Sequence, residues 1–314
     1  MILIGKEHTH FFFDRNRPPA VRVKPGAEVT FETLDACMNE VRTIEQFFDH
    51  RSRPLKGNPM GGPVFVEGAK PGDTLTVDIL KIELDAEGFQ LIGPNRAIVR
   101  DEVPEWTCYA FKVEHGRIIF PNGFNLPIDP MIGQFGNAPA GEPTNCPNPL
   151  GGNIDCPFAR VGARIYIPVE VEGALFSLGD VHARQGDGEV VGAPEIGAKV
   201  TVRFGLLPHA HSAGFMIEDV EDWHSCWTAE NEGEAARQAV FQNARFLSKK
   251  YHAEFRDTLI LLTLIGRLSI SRTAKWGNHN PVVCSSFSRK LAAEALRSYR
   301  AGSVKSAAAP KPLG

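Results

Sequence analysis

Glycine and proline break this chain at short intervals through its first 225 residues, and no other feature limits its fold as much. The 30 glycines and 23 prolines leave only short runs between them, which rules out long helices in that region and favours strands joined by turns. The runs have β-branched or alternating patterns: AVRVKPGAEVTFETL, GPVFVEGAKPGDTLTVDILKIEL, HGRIIFPNGFNLPI, ARIYIPVEVEGALFSLGD and GAKVTVRFGLL. In TLTVDILKIEL, Leu75, Val77 and Ile79 point one way and Thr74, Thr76 and Asp78 the other, the period of two of a half-buried strand. VRVKPGAEVTFET and VFVEGAKPGDTLTVDI both read as strand, Pro-Gly turn, strand. Many short strands in this rhythm predict a sandwich or barrel.

The pattern changes after Trp227. TAENEGEAARQAVFQNARFLSKKYHAEF reads as a helix with Thr228 as N-cap, Glu230, Glu232 and Glu234 early, and Lys249 and Lys250 late. Its predicted inner face carries Ala236, Val240, Ala244 and Leu247. Trp223 and Trp227 are expected to pack against it. RDTLILLTLIGRLSIS fits helix or strand, and SFSRKLAAEALRSYRA a second helix with Leu291, Ala295, Leu296 and Tyr299 inward. The organisation expected is a β-rich catalytic region over 1–227, with room for two β subdomains, an α-containing region over 228–301, and a disordered tail over 302–314. The fold class is mainly β, sandwich-like, with a smaller α-containing C-terminal part, α+β overall. Pro127–Pro157 carries almost no strand signal and reads as one long loop, a length that is often functional.

A net charge of −3 gives no basic excess for nucleic acid or anionic lipid. The first residues lack the pattern of a signal peptide, and no window approaches the roughly 20 apolar residues of a membrane span. A cytoplasmic location is expected, with neither nucleic acid nor membrane as partner. The six cysteines form no C-x-x-C pair and are read as free thiols, with Cys284 a buried strand residue. The chain also lacks G-x-S-x-G, H-E-x-x-H, the P-loop pattern and a strand-linked G-x-G-x-x-G, which speaks against serine hydrolysis and nucleotide use.

The densest chemistry lies in LGDVHARQGDGEV, where Asp180, His182, Asp187 and Glu189 fall within ten positions. One reading is a solvated turn around Asp187-Gly188. The other rests on the set. Asp180 and His182 are two apart and share a strand face, as do Asp187 and Glu189, and Gly186 and Gly188 allow both pairs to meet. Carboxylates with a neutral imidazole suit zinc or another divalent ion, and without a cation they would repel one another. In GGNIDC, Asn153 and Asp155 repeat the spacing. His8 and His10 in EHTH are further ligand candidates, and Glu195 is a spare one. His209 and His211 with Glu218 resemble a cupin metal motif in a looser spacing, the basis of a rival reading as a cupin-like oxygenase or isomerase. A non-catalytic jelly-roll module binding calcium through the acidic loop is the other rival.

Four stretches together resemble the acetamidase/formamidase family: FETLDA, GPVFVEGAKPGDTLTVDI, NPLGGNIDC and GARIYIPVEVEGALFSLGDVHARQGDGEVVGAPEI. The resemblance runs from Glu28 to Phe204, while RTAKWGNHNPVVCSSF departs from the family pattern. It implies hydrolysis of small amides to ammonia and a carboxylate, a β fold of jelly-roll character and a homo-oligomer, with a dimer favoured. Ligand chemistry at the matching positions then assigns Asp155 and His182 to a divalent metal, zinc first and calcium as the alternative, completed by His8 or His10. Asp180 and Asp187 orient the imidazole or hold a second ion, and Glu189 is general base and then general acid. Asn153 and Gln185 bind the amide, and small glycines nearby suit a small substrate.

Overall fold

The computed structural model describes residues 2–54, 57–94, 98–99, 102–210, 213–273 and 280–300. The strands are β1 (Ile2–Ile4), β2 (Thr9–His10), β3 (Val21–Val23), β4 (Glu28–Thr33), β5 (Met60–Val66), β6 (Thr74–Ile92), β7 (Thr107–Glu114), β8 (Arg117–Ile119) and β9 (Asn125–Pro127). They continue with β10 (Met131–Gly136), β11 (Gly151–Asn153), β12 (Arg164–Pro168), β13 (Phe176–His182), β14 (Glu195–Leu207), β15 (Met216–Glu218), β16 (Asp222–Thr228), β17 (Gly266–Arg272) and β18 (Val282–Ser288). The helices are α1 (Ile44–Ser52), α2 (Glu232–Tyr251), α3 (Phe255–Ile265) and α4 (Arg289–Arg297). The pairing is antiparallel except for β1–β4 and β3–β5, so the mainly β class expected from the turn rhythm is the one observed.

Two long strands organise the sheet. β14 pairs with β4, β6 and β13, and β6 pairs with β7, β12 and β14. Leu75, Val77 and Ile79 of β6 are buried as their alternation predicts, but Thr74 and Thr76 are buried too, so this end of β6 is covered on both faces. The Pro-Gly turn between β3 and β4 has Gly26 at φ 94°, the conformation a type II turn requires. Among the described residues no helix is long and apolar enough to cross a membrane.

Several local expectations need correction. The stretch 127–157 is not a single loop: it contains β10, buried at all six positions, and β11. A strand covered on both faces shows no alternation, and MIGQFG carries two glycines that read as loop. Helix α1 lies inside the β-rich region, started by a capping box between Thr43 and Gln46. The N-cap of α2 is Asn231, not Thr228, because its side chain accepts a hydrogen bond from the Glu234 amide. The buried face of α2 is Ala235, Ala239, Gln242, Asn243, Ala244 and Leu247, displaced by one residue at its start from the expected stripe. RDTLILLTLIGRLSIS is both alternatives in turn, α3 and then β17. In α4 the buried residue is Ala292, while Leu291 is exposed. Trp223 packs its ring 4.5 Å from that of Phe246 on α2, as expected. The tail over 302–314 lies outside the described residues.

The thiols also differ from expectation. Cys226 on β16 and Cys284 on β18 are directly opposite each other, with Cα atoms 4.0 Å apart, and form a disulfide. They are 58 residues apart in sequence, so their spacing gives no sign of the pairing. Cys284 is a buried strand residue, as read from VVCSSF.

Candidate metal and active site

The candidate site starts from β10 and β13. Ile132 pairs with Val181 and Gln134 with Gly179, which sets Gly133 across from Asp180. Just beyond β11, the amides of Ile154 and Asp155 both donate to the Gly133 carbonyl, at 2.9 and 3.0 Å. One glycine therefore anchors the segment carrying Asp155 beside the strand carrying Asp180 and His182. Glu195 enters as the cross-strand partner of His182 on β14.

The four side chains converge. His182 Nε2 lies 3.6 Å from Asp180 Oδ1, 3.6 Å from Glu195 Oε2 and 3.9 Å from Asp155 Oδ1. These gaps are too long for hydrogen bonds. They are close to the roughly 3.3–3.6 Å between ligand atoms that each sit about 2.0–2.2 Å from a tetrahedral zinc ion. Asp155 Oδ1, Asp180 Oδ1 and His182 Nε2 are buried and make no hydrogen bond. Leaving three such atoms bare is costly unless something else meets them. Gly133 keeps the space open: a Cβ there would stand 2.7 Å from Asp155 Oδ1 and 2.9 Å from His182 Cε1. The donors thus fit a divalent cation by number, type and room.

The surrounding contacts orient these donors. Gln185 Oε1 accepts a 2.8 Å hydrogen bond from His182 Nδ1, which leaves Nε2 as the atom facing the carboxylates. Gln185 Nε2 donates to the Asp155 carbonyl at 2.6 Å. Asp180 Oδ2 accepts from Asn58 Nδ2 at 2.7 Å, and Asp155 Oδ2 from Arg272 Nη1 at 2.8 Å. Asp155, Asp180 and Glu189 all have positive φ, at 50°, 56° and 42°, backbone strain of the kind that collects at functional sites.

The electrostatics agree with this reading. Burial opposes a charged His182, but Glu195, Asp180 and Asp155 outweigh it and hold the imidazole pKa well above its ordinary value. Burial raises the Asp155 carboxyl against the pull of Arg272. Asp180 stays below the usual carboxylate range despite burial, because His182 and Asn58 stabilise its anion.

An open cavity of about 510 Å³ ends on this cluster. Asn153, Asp155, Asp180, Glu189 and Glu195 line it, together with Gln134 and Arg272. The sequence reading therefore brings together Asp155, Asp180, His182 and Glu195, with Asn153 and Glu189 facing the same cavity. It does not bring in the others. His8 is partly exposed beside Glu7. His10 is buried elsewhere, its ring held by Ser177 Oγ and the Phe12 carbonyl, both at 3.0 Å. Asp187 is exposed and is not among the residues that line the cavity. Gln185, expected to bind the amide, has its side chain committed behind His182 and acts as a positioning residue. The cupin-like set does not assemble: His209 is exposed, Glu218 accepts from Tyr166 at 2.5 Å and pairs with Arg289 at 2.6 Å, and His211 lies outside the described residues.

Three residues were missed. Arg272 and Asn58 come from segments without a recognisable motif. Gln134 is fully buried at the cavity wall with neither end of its amide hydrogen-bonded. Its sequence signal is weak, a lone glutamine in an apolar run.

Fold and site together define a class: mainly antiparallel β proteins with a buried carboxylate–imidazole centre at the floor of an open cavity. The profile of the acetamidase/formamidase family matches residues 5–142 and 134–231, and the chain belongs to that family. It is 27% identical over 251 residues to the formamidase of Methylophilus methylotrophus, and 27% identical over 261 residues to the acetamidase of Mycolicibacterium smegmatis. Each alignment takes in 60% of this chain and 62% or 64% of the relative, so the match spans about three-fifths of these curated relatives. Among solved structures, the acetamidase from Bacillus halodurans superposes with a TM-score of 0.84 at 30% identity, covering 91% of this chain and 97% of that one. A predicted acetamidase/formamidase from Thermoanaerobacter tengcongensis gives 0.87 at 31% identity, covering 94% and 98%.

Proposed function

We propose that this chain hydrolyses the C–N bond of primary amides, releasing ammonia and a carboxylate, at the centre formed by Asp155, Asp180, His182 and Glu195. The observation that carries the reading is the set of three buried donor atoms without hydrogen bonds, meeting where Gly133 leaves space at the end of an open cavity. Family membership and the acetamidase and formamidase relatives support it. These four residues would hold a divalent ion, zinc by ligand type. Such an ion, when bound, lowers the pKa of water towards neutrality and polarises a carbonyl.

The chain's own groups do the rest. Glu189 is at the cavity wall, 9% exposed, placed to take a proton from the attacking water and deliver it to the departing nitrogen. Gln134 offers an amide N–H and an amide oxygen, the complement of a primary amide, and Asn153 beside it offers a second pair. Arg272 holds Asp155 in place from behind, and Gln185 fixes the His182 tautomer. A homodimer in solution belongs to the same proposal, with light scattering as its check.

The test combines metal analysis with ammonia release. His182→Ala is expected to lose bound metal and turnover together. Glu189→Gln is expected to keep the metal and lose about 10²–10⁴ in kcat. Near-full activity in Glu189→Gln would place the base elsewhere.

A further inference from the structure

The cavity is larger than its floor requires. About 510 Å³ lies within the roughly 300–1,000 Å³ range of sites for drug-sized ligands, far beyond the needs of a one- or two-carbon amide. Besides the polar groups of the cluster, its lining includes an apolar set, Phe11, Cys37, Met38, Phe47, Phe89 and Leu91, and the charged or titratable side chains of Glu40, His50, Arg51 and Arg53. The apolar side chains do not belong to the main core. Cys37, Phe47, Phe89 and Leu91 form a separate apolar cluster with Val41, against which Trp106 packs. Helix α1 thus contributes Phe47, the end of β6 contributes Phe89 and Leu91, and the turn before α1 contributes Met38.

The charged lining adds a second constraint. Arg53 is committed to Glu40 at 2.7 Å and Asp49 at 2.5 Å. The Arg51 guanidinium lies over the rings of Phe47 and Trp106, at 5.8 and 5.6 Å. Arg53 is therefore paired with carboxylates within the protein, and Glu40 itself lines the cavity, which leaves little to draw in a negatively charged acyl group.

From this geometry we infer that the substrate is a primary amide with an apolar acyl group of medium-chain or aryl size, its carboxamide at the floor and its hydrocarbon along the Met38–Phe47–Phe89–Leu91 wall. The inference rests on the amide-hydrolysis reading above and gives its site a substrate class. Burying hydrocarbon on this wall strengthens binding with each added methylene, so the acyl group decides how well an amide is used.

The test is ammonia release by the zinc-loaded full chain from formamide, acetamide, butyramide, hexanamide and benzamide. The expected result is a rise in kcat/KM of about threefold per methylene, on the order of a hundredfold from acetamide to hexanamide, chiefly through KM. Benzamide is expected to match hexanamide. Met38 has φ 60°, which asparagine tolerates, so Met38→Asn polarises the wall without straining the turn. This variant is expected to flatten the chain-length dependence and lower kcat/KM for hexanamide about tenfold. A series that is flat, or that falls from formamide onwards, overturns the acyl-wall inference while leaving amide hydrolysis standing. No ammonia from any of the five removes both.

Discussion

Asp155 and Cys156 are adjacent in the chain, and each belongs to a buried group of three donors. On one side Asp155, Asp180 and His182 face each other across gaps of 3.6–3.9 Å, with bare atoms and an excess of negative charge. On the other, two of the three sulfurs are joined as Cys226–Cys284, and Cys156 Sγ lies 3.3 Å from Cys226 Sγ. Burial pushes the Cys156 thiol up to about 12, so that side is neutral. The sulfur group is complete in itself and serves as core. The carboxylate group leaves three buried donor atoms without hydrogen bonds, and for that reason the proposed chemistry is assigned to it.

This contrast can be broken from either side. Arg272 supplies the only guanidinium hydrogen-bonded to Asp155 among the described residues. Arg272→Gln is expected to cost the metal-free protein about 3–5 kcal/mol in urea denaturation, because it leaves a buried charge without its partner. Adding zinc should recover part of that loss. A cost below about 1 kcal/mol in chelator would mean that Asp155 does not depend on the pair. On the sulfur side, replacing both Cys226 and Cys284 by serine opens a 58-residue loop and is expected to cost about 2–4 kcal/mol. Metal content should stay unchanged, and a loss of metal would show that the two groups are not separate.

His10 sharpens the contrast on a smaller scale, as a buried imidazole whose partners are a hydroxyl and a carbonyl instead of carboxylates. Burial, helped by Arg17, lowers its pKa to about 4. The unfolded chain then binds a proton between about pH 6.5 and 4 that the folded chain refuses. The stability tied to a neutral His10 is therefore full above pH 6.5 and lost as pH falls towards 4, on the order of 1–3 kcal/mol. Melting curves of His10→Gln over this range should lack that share of the slope, and an identical slope would rule the assignment out.

The sequence made some of this legible. The turn rhythm carries the β class, and the acidic loop carries His182, Asp180 and Glu189, because glycine spacing and ligand chemistry are local signals. Asp155 was found the same way. Arg272, Asn58 and Gln134 were out of reach, since each acquires its role from a partner more than 40 residues away in the chain, or from a cavity wall. His10 and Asp187 were misplaced for the opposite reason. Their residue types suit a metal, but β2 sets His10 apart from the cluster and Asp187 is exposed. The strand that carries Gln134 was invisible because complete burial erases the alternation that reveals a strand.

The family match ends at residue 231, yet the guanidinium that steadies Asp155 arrives at position 272. A shortened version cut at that boundary would keep every carboxylate and the imidazole while forfeiting their built-in counter-charge. Chimeras made by swapping C-terminal segments between relatives should accordingly be matched at the arginine, not at the edge of the profile match.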